Sequence, residues 1–462
     1  MKIPILKRLI HLLCISIIFI NCKNTETVIK QIYDNTTKSD ASHKVLEYLS
    51  KETPGRLPGT RQSNEAIIYL QEILKNYGAD SVWLVPVMAS GWKENKKPVS
   101  SIVLSNNLQI PLNAVSLGQC ISTSGSGIDA PVVVIDRKTQ IDSLGESGLK
   151  GKIVFFNGKM KVRNDYGKWA WSRTQGASMV SKYGAIGVLV RSLTTKYDDN
   201  PHAGVVRYEE NIPKIPAVAL SWQAADSLEN ALQKSPDLMV HLETFCENPG
   251  NVQTYNVVGE IRGSQYPDEI LFLSAHLDSW HNTQGAHDDG GGVSQIIDVI
   301  RIFKELNIKP KRTIRVMPYM DEEQYNNGMI QYAEIAENDN KTHIIRIEVD
   351  HGIGVPIGFS IQSDSAVFTK QHIWRTYLDK YNLKNIRFSG NYSNSAPLYA
   401  KDKTILGYLT SDDPHYFDYH HSANDLFETV DKKNLQSGGA ALAVFYYILD
   451  QMDIIDNSNR KN

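Results

Sequence analysis

Cysteine is scarce in this 462-residue chain: Cys14, Cys22, Cys120 and Cys246 are all it has. No two stand in CxxC or CxxxC spacing, which excludes a thiolate metal site or dithiol redox motif of that form. Charge of one sign is also lacking. Lys and Arg number 49 against 51 Asp and Glu, a formal net charge of −2. Such a chain has no basic field for nucleic acid. Internal repeats and long low-complexity tracts are missing, and outside the first 22 residues no apolar run is of membrane length. The remainder, 41% hydrophobic and 22% charged, describes a globular protein with ample core. At roughly 100–200 residues per domain, two or three domains are expected.

The one long apolar run opens the chain as MKIPILKRLIHLLCISIIFINC. Lys2, Lys7 and Arg8 precede the apolar stretch Leu9 to Ile20, too short for a comfortable span. Residues 1–21 therefore read as a secretory signal, and export follows. Cys22 and the polar KNTETV after it resemble a bacterial lipoprotein signal, which would make a lipid anchor at Cys22 the protein's link to a membrane. Asn21 stands where a smaller residue is usual, so plain secretion is the alternative. Cys120 and Cys246 either pair in an oxidising compartment or serve as small buried hydrophobes.

Texture divides the rest. Residues 22–95 are helix-rich and end in a strand. SNEAIIYLQEILKNYG puts Ala66, Ile67, Leu70, Ile73 and Leu74 on one face, with Gly78 as its stop, and SVWLVPV follows as the strand. Residues 96–246 carry short β-type runs (APVVVID, GKIVFFN, IGVLVR, IPAVALS) and one helical stretch, SRTQGASMVSKYG, which suggests an inserted β-rich module. Over 247–462 strands and helices alternate. GGVSQIIDVIRIFKELN is an amphipathic helix with Val293, Ile296, Ile297, Ile300, Phe303 and Leu306 on one face. The fold class expected is α/β, a mostly parallel central sheet flanked by helices, with the smaller module inserted.

Five motifs in this last part carry chemistry: His276-x-Asp278, Asp288-Asp289, Glu322-Glu323, Asp350 and His421 of YHHSAND. Each alone is weak. His-x-Asp is more often a surface accident, Asp-Asp-Gly a turn, Glu-Glu a solvated face, and His-His-Ser an ordinary loop. Asp350 is harder to dismiss, since it closes the apolar run HIIRIEV and buried unpaired carboxylates are costly. Three of the motifs fall at the carboxyl ends of expected strands, the edge where open α/β sheets bind ligands. Asp288 lies beside the helix start, where negative charge is favoured. Together they supply the ligands for two metal ions and one general base.

SAHLDSW with QGAHDDGGG, KRTIRVMPYMDEEQ, RTQGASMVSKYGAIGVLVRS, IPKIPAVALS and GRLPGTRQSNEA resemble metallopeptidase family 28, the zinc aminopeptidases and carboxypeptidases, and within it a secreted dipeptidase branch. The likeness covers nearly the whole chain after the signal, including the module, which is similar to a protease-associated (PA) domain. It implies two Zn2+ per chain: His276 and Asp350 on one, Glu323 and His421 on the other, Asp288 bridging both. It implies Glu322 as general base, Asp278 orienting His276 through its far ring nitrogen, and Asp289 setting the backbone after the bridge. Zinc ions ~3.5–4 Å apart can share a water and lower its pKa towards ~7, and Glu322 can move its proton to the leaving amine. The implied substrate is a dipeptide or short peptide, and the implied assembly a homodimer.

Two positions depart from the family pattern: Tyr325 where a glycine-containing turn is usual, and Asn394 where relatives carry Asp. Tyr419 or His420 is a candidate for a hydrogen bond to the developing oxyanion. Tyr166, Trp169 and Trp171 either line a substrate cleft or pack the module on the peptidase domain. Two other readings use the same scaffold, a non-catalytic binding protein and a single-zinc glutaminyl cyclase. The complete ligand set counts against both.

Overall fold

The computed structural model describes residues 25–104, 108–350, 352–362, 371–389 and 404–452. The expected signal, Cys22 and Asn394 lie outside them. The runs ILFLSAH, TIRVMPY and HIIRIE, rich in β-branched and large apolar residues, become the buried parts of strands Tyr266–His276, Arg312–Tyr319 and Thr342–Glu348; only the first four residues of Tyr266–His276 and Thr342 are not buried. Burial on both faces is what a parallel sheet covered by helices demands. Thr342–Glu348 and Arg312–Tyr319 flank Tyr266–His276 on either side, both parallel to it, with Tyr319 level with His276. Ile405–Asp412 extends the parallel set, and Val355–Gln362 joins it antiparallel. The mixed α/β architecture expected is the one observed.

Helix Gly291–Glu305 departs from its expected amphipathic character. Every residue from Gly291 to Phe303 is buried. The helices Ala41–Lys51 and Lys432–Gln451 pack over the face that the sequence pattern left polar. Most of its polar side-chain groups find partners: Arg301 Nε donates to Asp298 Oδ1 at 2.5 Å and Gln295 Nε2 to the Leu435 carbonyl at 3.2 Å, although Gln295 Oε1 has none. Buried polar groups persist where they are paired in this way. No helix among the described residues is long and apolar enough to cross a membrane.

Two 23-residue strands, Ser81–Val103 and Met239–Ile261, pair antiparallel from end to end, with irregular register between Gly91 and Val99. Residues 259–261 join the central sheet beside Arg312–Tyr319, whereas 239–242 pair with Ile128–Ile135 of a second sheet. The ladder is thus one beam seated in two sheets. The second sheet runs parallel through Ile128–Ile135, Ile153–Phe156, Gly187–Arg191 and Ala217–Leu220, closing with antiparallel Ala114–Ser116. Helices Gln140–Leu149 and Trp222–Lys234 belong here beside the stretch anticipated around Ser172–Tyr183, which forms Tyr166–Thr174 and Gly176–Ser181. Parallel neighbours need crossover connections, so a parallel order brings helices with it.

Where the two sheets meet, Trp280 is fully buried, in one apolar cluster with Leu57, Trp92 and Leu117. Gly118 lies against its ring. A Cβ there would fall 2.2 Å from two ring carbons of Trp280. Gly118→Ala is expected to destabilise the protein by about 1–3 kcal/mol through overpacking, read from its denaturant midpoint. An unchanged midpoint would mean that the indole moves freely.

Candidate metal centre

Three adjacent parallel strands deliver three of the five motifs to one edge. His276 is the last residue of its strand, Glu322 and Glu323 follow the turn after Tyr319, and Asp350 follows Glu348. Asp288 comes from the loop before helix Gly291–Glu305, two residues ahead of the N-cap Gly290, with non-helical backbone angles. His421 arrives from the segment after the short helix Tyr416–Tyr419.

The side chains converge on Asp288. His276 Nε2 lies 3.0 Å from Asp288 Oδ1 and 3.5 Å from Asp350 Oδ1. On the other side, His421 Nε2 lies 3.4 Å from Asp288 Oδ2 and 2.9 Å from Glu323 Oε2. Two groups of possible metal ligands thus share one carboxylate: His276, Asp288 and Asp350 in the first, Asp288 with His421 and His420 in the second, where Glu323 adjoins His421. Asp288 Oδ2 and Glu323 Oε1 are buried without a hydrogen-bond partner. A buried carboxylate oxygen left in this state is costly, and a cation between the two groups would satisfy it. Imidazole and carboxylate donors suit zinc. His420 stacks on His421 at 3.5 Å, but its Nε2 is 4.0 Å from Asp288 Oδ2, so His421 is the better placed of the pair.

Asp278 corrects one expectation. Its carboxylate comes no closer than 3.9 Å to His276 Nδ1, and its backbone carbonyl accepts from that nitrogen instead, at 3.0 Å. The tautomer is set all the same, with Nε2 left facing Asp288. The carboxylate accepts the N–H groups of Glu322 and Glu323 at 3.1 and 3.2 Å. It thus ties the His276 turn to the neighbouring strand end, whose amides would otherwise be orphaned. Asp289 accepts the His276 N–H at 3.1 Å and the Gly292 N–H at 3.2 Å, holding the backbone after the bridge as expected.

Two supporting residues escaped the sequence reading. Asp425 accepts the N–H groups of Ala286, His287 and Asp288 at 3.0, 2.6 and 3.2 Å, so one carboxylate shapes the loop bearing the shared ligand. Its position in YHHSAND was the available signal. Arg56, buried in the GRLPGTR stretch, donates to the carbonyls of Leu49, Leu277, Gln284 and Gly285. It knots the loops on both sides of the site, a role that no periodicity announces.

The second sheet forms the other wall. Tyr166, Arg173, Thr174, Val205 and Arg207 line a cavity of about 280 Å³ opposite Asp288, Glu322, Glu323, Asp350 and His421. It also holds the loop of His421 in place. Ala203 N–H donates to the His421 carbonyl at 2.8 Å, Thr194 Oγ1 to the Phe417 carbonyl at 2.6 Å, and the Ala203 carbonyl lies 3.3 Å from His421 Nδ1. His421 needs this support, because its φ of +64° is unfavourable for a residue with a side chain. The aromatic trio divides: Tyr166 faces the cavity, Trp169 packs near Phe417, and Trp171 meets Phe156 edge-on at 5.3 Å. Tyr419 stacks on His287 at 4.5 Å and does not line the cavity, whereas Tyr416 and His420 do. The oxyanion suggestion for Tyr419 is accordingly dropped. Tyr325 lies outside the cavity lining, with the Arg207 guanidinium 5.9 Å from its ring.

Crowded carboxylates shift one another. Burial, then Asp350, Asp278 and Asp288, push Glu322 up to about 8, and Glu323 is raised by burial and Asp288. Burial opposes the charged form of His276, yet Asp350 and Asp288 raise it above the usual histidine range. The two glutamates hold protons in the folded state that the unfolded chain releases from about pH 4 upward, and His276 holds one that it releases around pH 6.5, so stability falls as pH rises towards 8. Burial pushes His287 and His202 down to about 4 and His420 to about 3. Those histidines add stability between about pH 4 and 6.5, then nothing further. Chelator-treated protein is therefore expected to lose stability from pH 6.5 to 8, and added divalent cation to restore it. A melting temperature that climbs across that interval without metal would contradict this electrostatic account.

The family model described as Peptidase family M28 matches residues 256–446. The chain is similar to carboxypeptidase Q of Bos taurus, 29% identical over 432 residues, covering 92% of this chain and 89% of the relative. The crystal structure of a peptidase M28 precursor from Shewanella amazonensis SB2B superposes with a TM-score of 0.85 at 30% identity, covering 93% of this chain and 97% of that one. A zinc aminopeptidase of Bacillus subtilis shares the fold at 16% identity, with a TM-score of 0.64 and coverage of 91% and 97%. With this likeness running through both sheets, the chain belongs to peptidase family M28.

Proposed function

We propose that the protein is a dinuclear zinc exopeptidase that hydrolyses dipeptides or short peptides outside the cytoplasm. The observation that carries this reading is Asp288, whose two carboxylate oxygens face His276 and His421 respectively. Asp350 completes the first group and Glu323 the second. Two zinc ions, when bound, would polarise the scissile carbonyl and acidify the attacking water.

The residues of the chain do the rest. Glu322 lines the cavity without belonging to either ligand group. Its raised proton affinity suits a group that accepts a proton from water and returns it to the leaving amine. Asp278 holds the backbone of Glu322 and Glu323 through their amides. Arg173, buried at the cavity wall, is held by Tyr166 Oη at 2.6 Å and the Ala203 carbonyl at 3.0 Å. A cavity of about 280 Å³ lies at the small end for ligand sites and favours short substrates. The second-sheet module, similar in sequence to a PA domain, acts as the roof of that cavity. Export with a lipid anchor at Cys22, and a homodimer, complete the reading; the first rests on the N-terminal sequence pattern, the second on the family resemblance.

Purified protein is expected to carry about two zinc ions per chain and to hydrolyse unblocked dipeptides. Glu322→Gln is expected to lower kcat by about 10²–10⁴-fold with zinc content unchanged. Full activity in that variant would overturn the assignment of the base, and one zinc per fully active chain would overturn the dinuclear reading. A dipeptide library with blocked and free amino ends decides which terminus is recognised.

A further inference from the structure

Cys120 and Cys246 lie far apart in sequence and together in space. Cys120 follows strand Ala114–Ser116 at the turn Leu117–Cys120, where its N–H donates to the Leu117 carbonyl at 3.0 Å. Cys246 lies in the long strand Met239–Ile261, opposite the irregular stretch of its partner, paired with Glu94. The two side chains occupy one apolar cluster with Trp92 and Leu117 as free thiols, close enough to perturb each other's ionisation, and Cys120 Sγ meets the Ile121 carbonyl and the Ala217 N–H at 3.2 Å each. The surrounding backbone is fixed from both sides. Ser122 Oγ accepts the Cys246 N–H at 2.8 Å and donates to the Cys246 carbonyl at 2.7 Å. Trp92 Nε1 and Asn248 Nδ2 both donate to the Cys120 carbonyl, at 2.9 and 3.3 Å.

We propose that Cys120 and Cys246 form a disulfide that staples the second sheet to the long ladder at its bend. The pair is chemically asymmetric. Cys246, the less deeply buried of the two, has its ionisation eased by the neighbouring Cys120, whereas burial holds Cys120 protonated. The Cys246 thiolate attacks a sulfur of a disulfide oxidant, such as oxidised glutathione or an oxidised dithiol oxidoreductase, and expels one thiolate. Cys120 then loses its proton and attacks Cys246 in the mixed disulfide, releasing the second thiol. Two protein thiols are oxidised and one disulfide is reduced to two thiols, so electrons and protons balance. The link closes a long loop comprising most of the second sheet, where a cross-link restricts the unfolded chain strongly.

The staple bears on the site as well. Gln119, next to Cys120, donates from Nε2 to Gln324 Oε1 at 2.5 Å, immediately after Glu323. Gly118 donates its N–H to the Gly204 carbonyl at 2.8 Å, beside the Ala203 that holds His421. A fixed Cys120 thus anchors the segment that bridges the two walls of the cavity.

The test is peptide mapping of the full chain refolded or incubated with oxidised glutathione, then denatured and alkylated without reduction. A cross-linked peptide containing Cys120 and Cys246, 2 Da lighter than the sum of its reduced parts, is expected. Alkylation of both residues under these conditions would overturn the proposal. As a second readout, dithiothreitol is expected to lower the melting temperature of the oxidised protein by roughly 5–10 °C. It should leave Cys120→Ala/Cys246→Ala unaffected. An equal response of both proteins would count against the staple, and the mapping of the unaltered chain stands even where the double variant folds poorly.

Discussion

A buried carboxylate with an imidazole on each side organises this molecule. Asp288 is almost wholly enclosed, and its Oδ2 has no hydrogen-bond partner from the protein. Such a group is tolerable only where positive charge is supplied, and the surrounding chain is arranged to concentrate that need at one point. Asp425 bonds three successive amides of its loop, Arg56 knots the loops around it, and Asp289 ties that loop to the His276 strand. These hydrogen bonds hold the candidate ligand atoms close to one another.

The second sheet belongs to the site as much as the first. Through Ala203 and Thr194 it holds the backbone of the segment that carries His421, in a conformation unfavourable for a histidine on its own. Through Tyr166, Arg173 and Arg207 it closes the cavity. The ladder of Ser81–Val103 with Met239–Ile261 makes this possible, since each end is hydrogen-bonded into a different sheet. An end-to-end ladder resists the relative motion that a flexible linker would allow, so ligand geometry and roof position are mechanically coupled.

Much of this was legible in the residues. Strand ends carrying His276, Glu322-Glu323 and Asp350 were readable because short, doubly buried strands leave an unbroken apolar run that stops where the site begins. Helix Gly291–Glu305 was legible as a helix but not as a buried one. Its polar residues look solvent-facing until Asp298 and Arg301 are seen to pair beneath a second helix. Asp278 illustrates a different limit. Its side chain and its backbone carbonyl are one residue in sequence, and which of them reaches His276 depends on a turn angle that no spacing encodes.

The sequence by itself determined the α/β class, the candidate ligands and the edge of the sheet on which they gather, because periodicity and residue chemistry are local properties. Only the tertiary structure decided that Arg56 knots the loops around Asp288, and that the second sheet supplies a wall of the cavity and holds the segment of His421. Those facts depend on distances between segments hundreds of residues apart. Such distances are set by how the long ladder and the buried loops pack, and packing is a property of the whole chain.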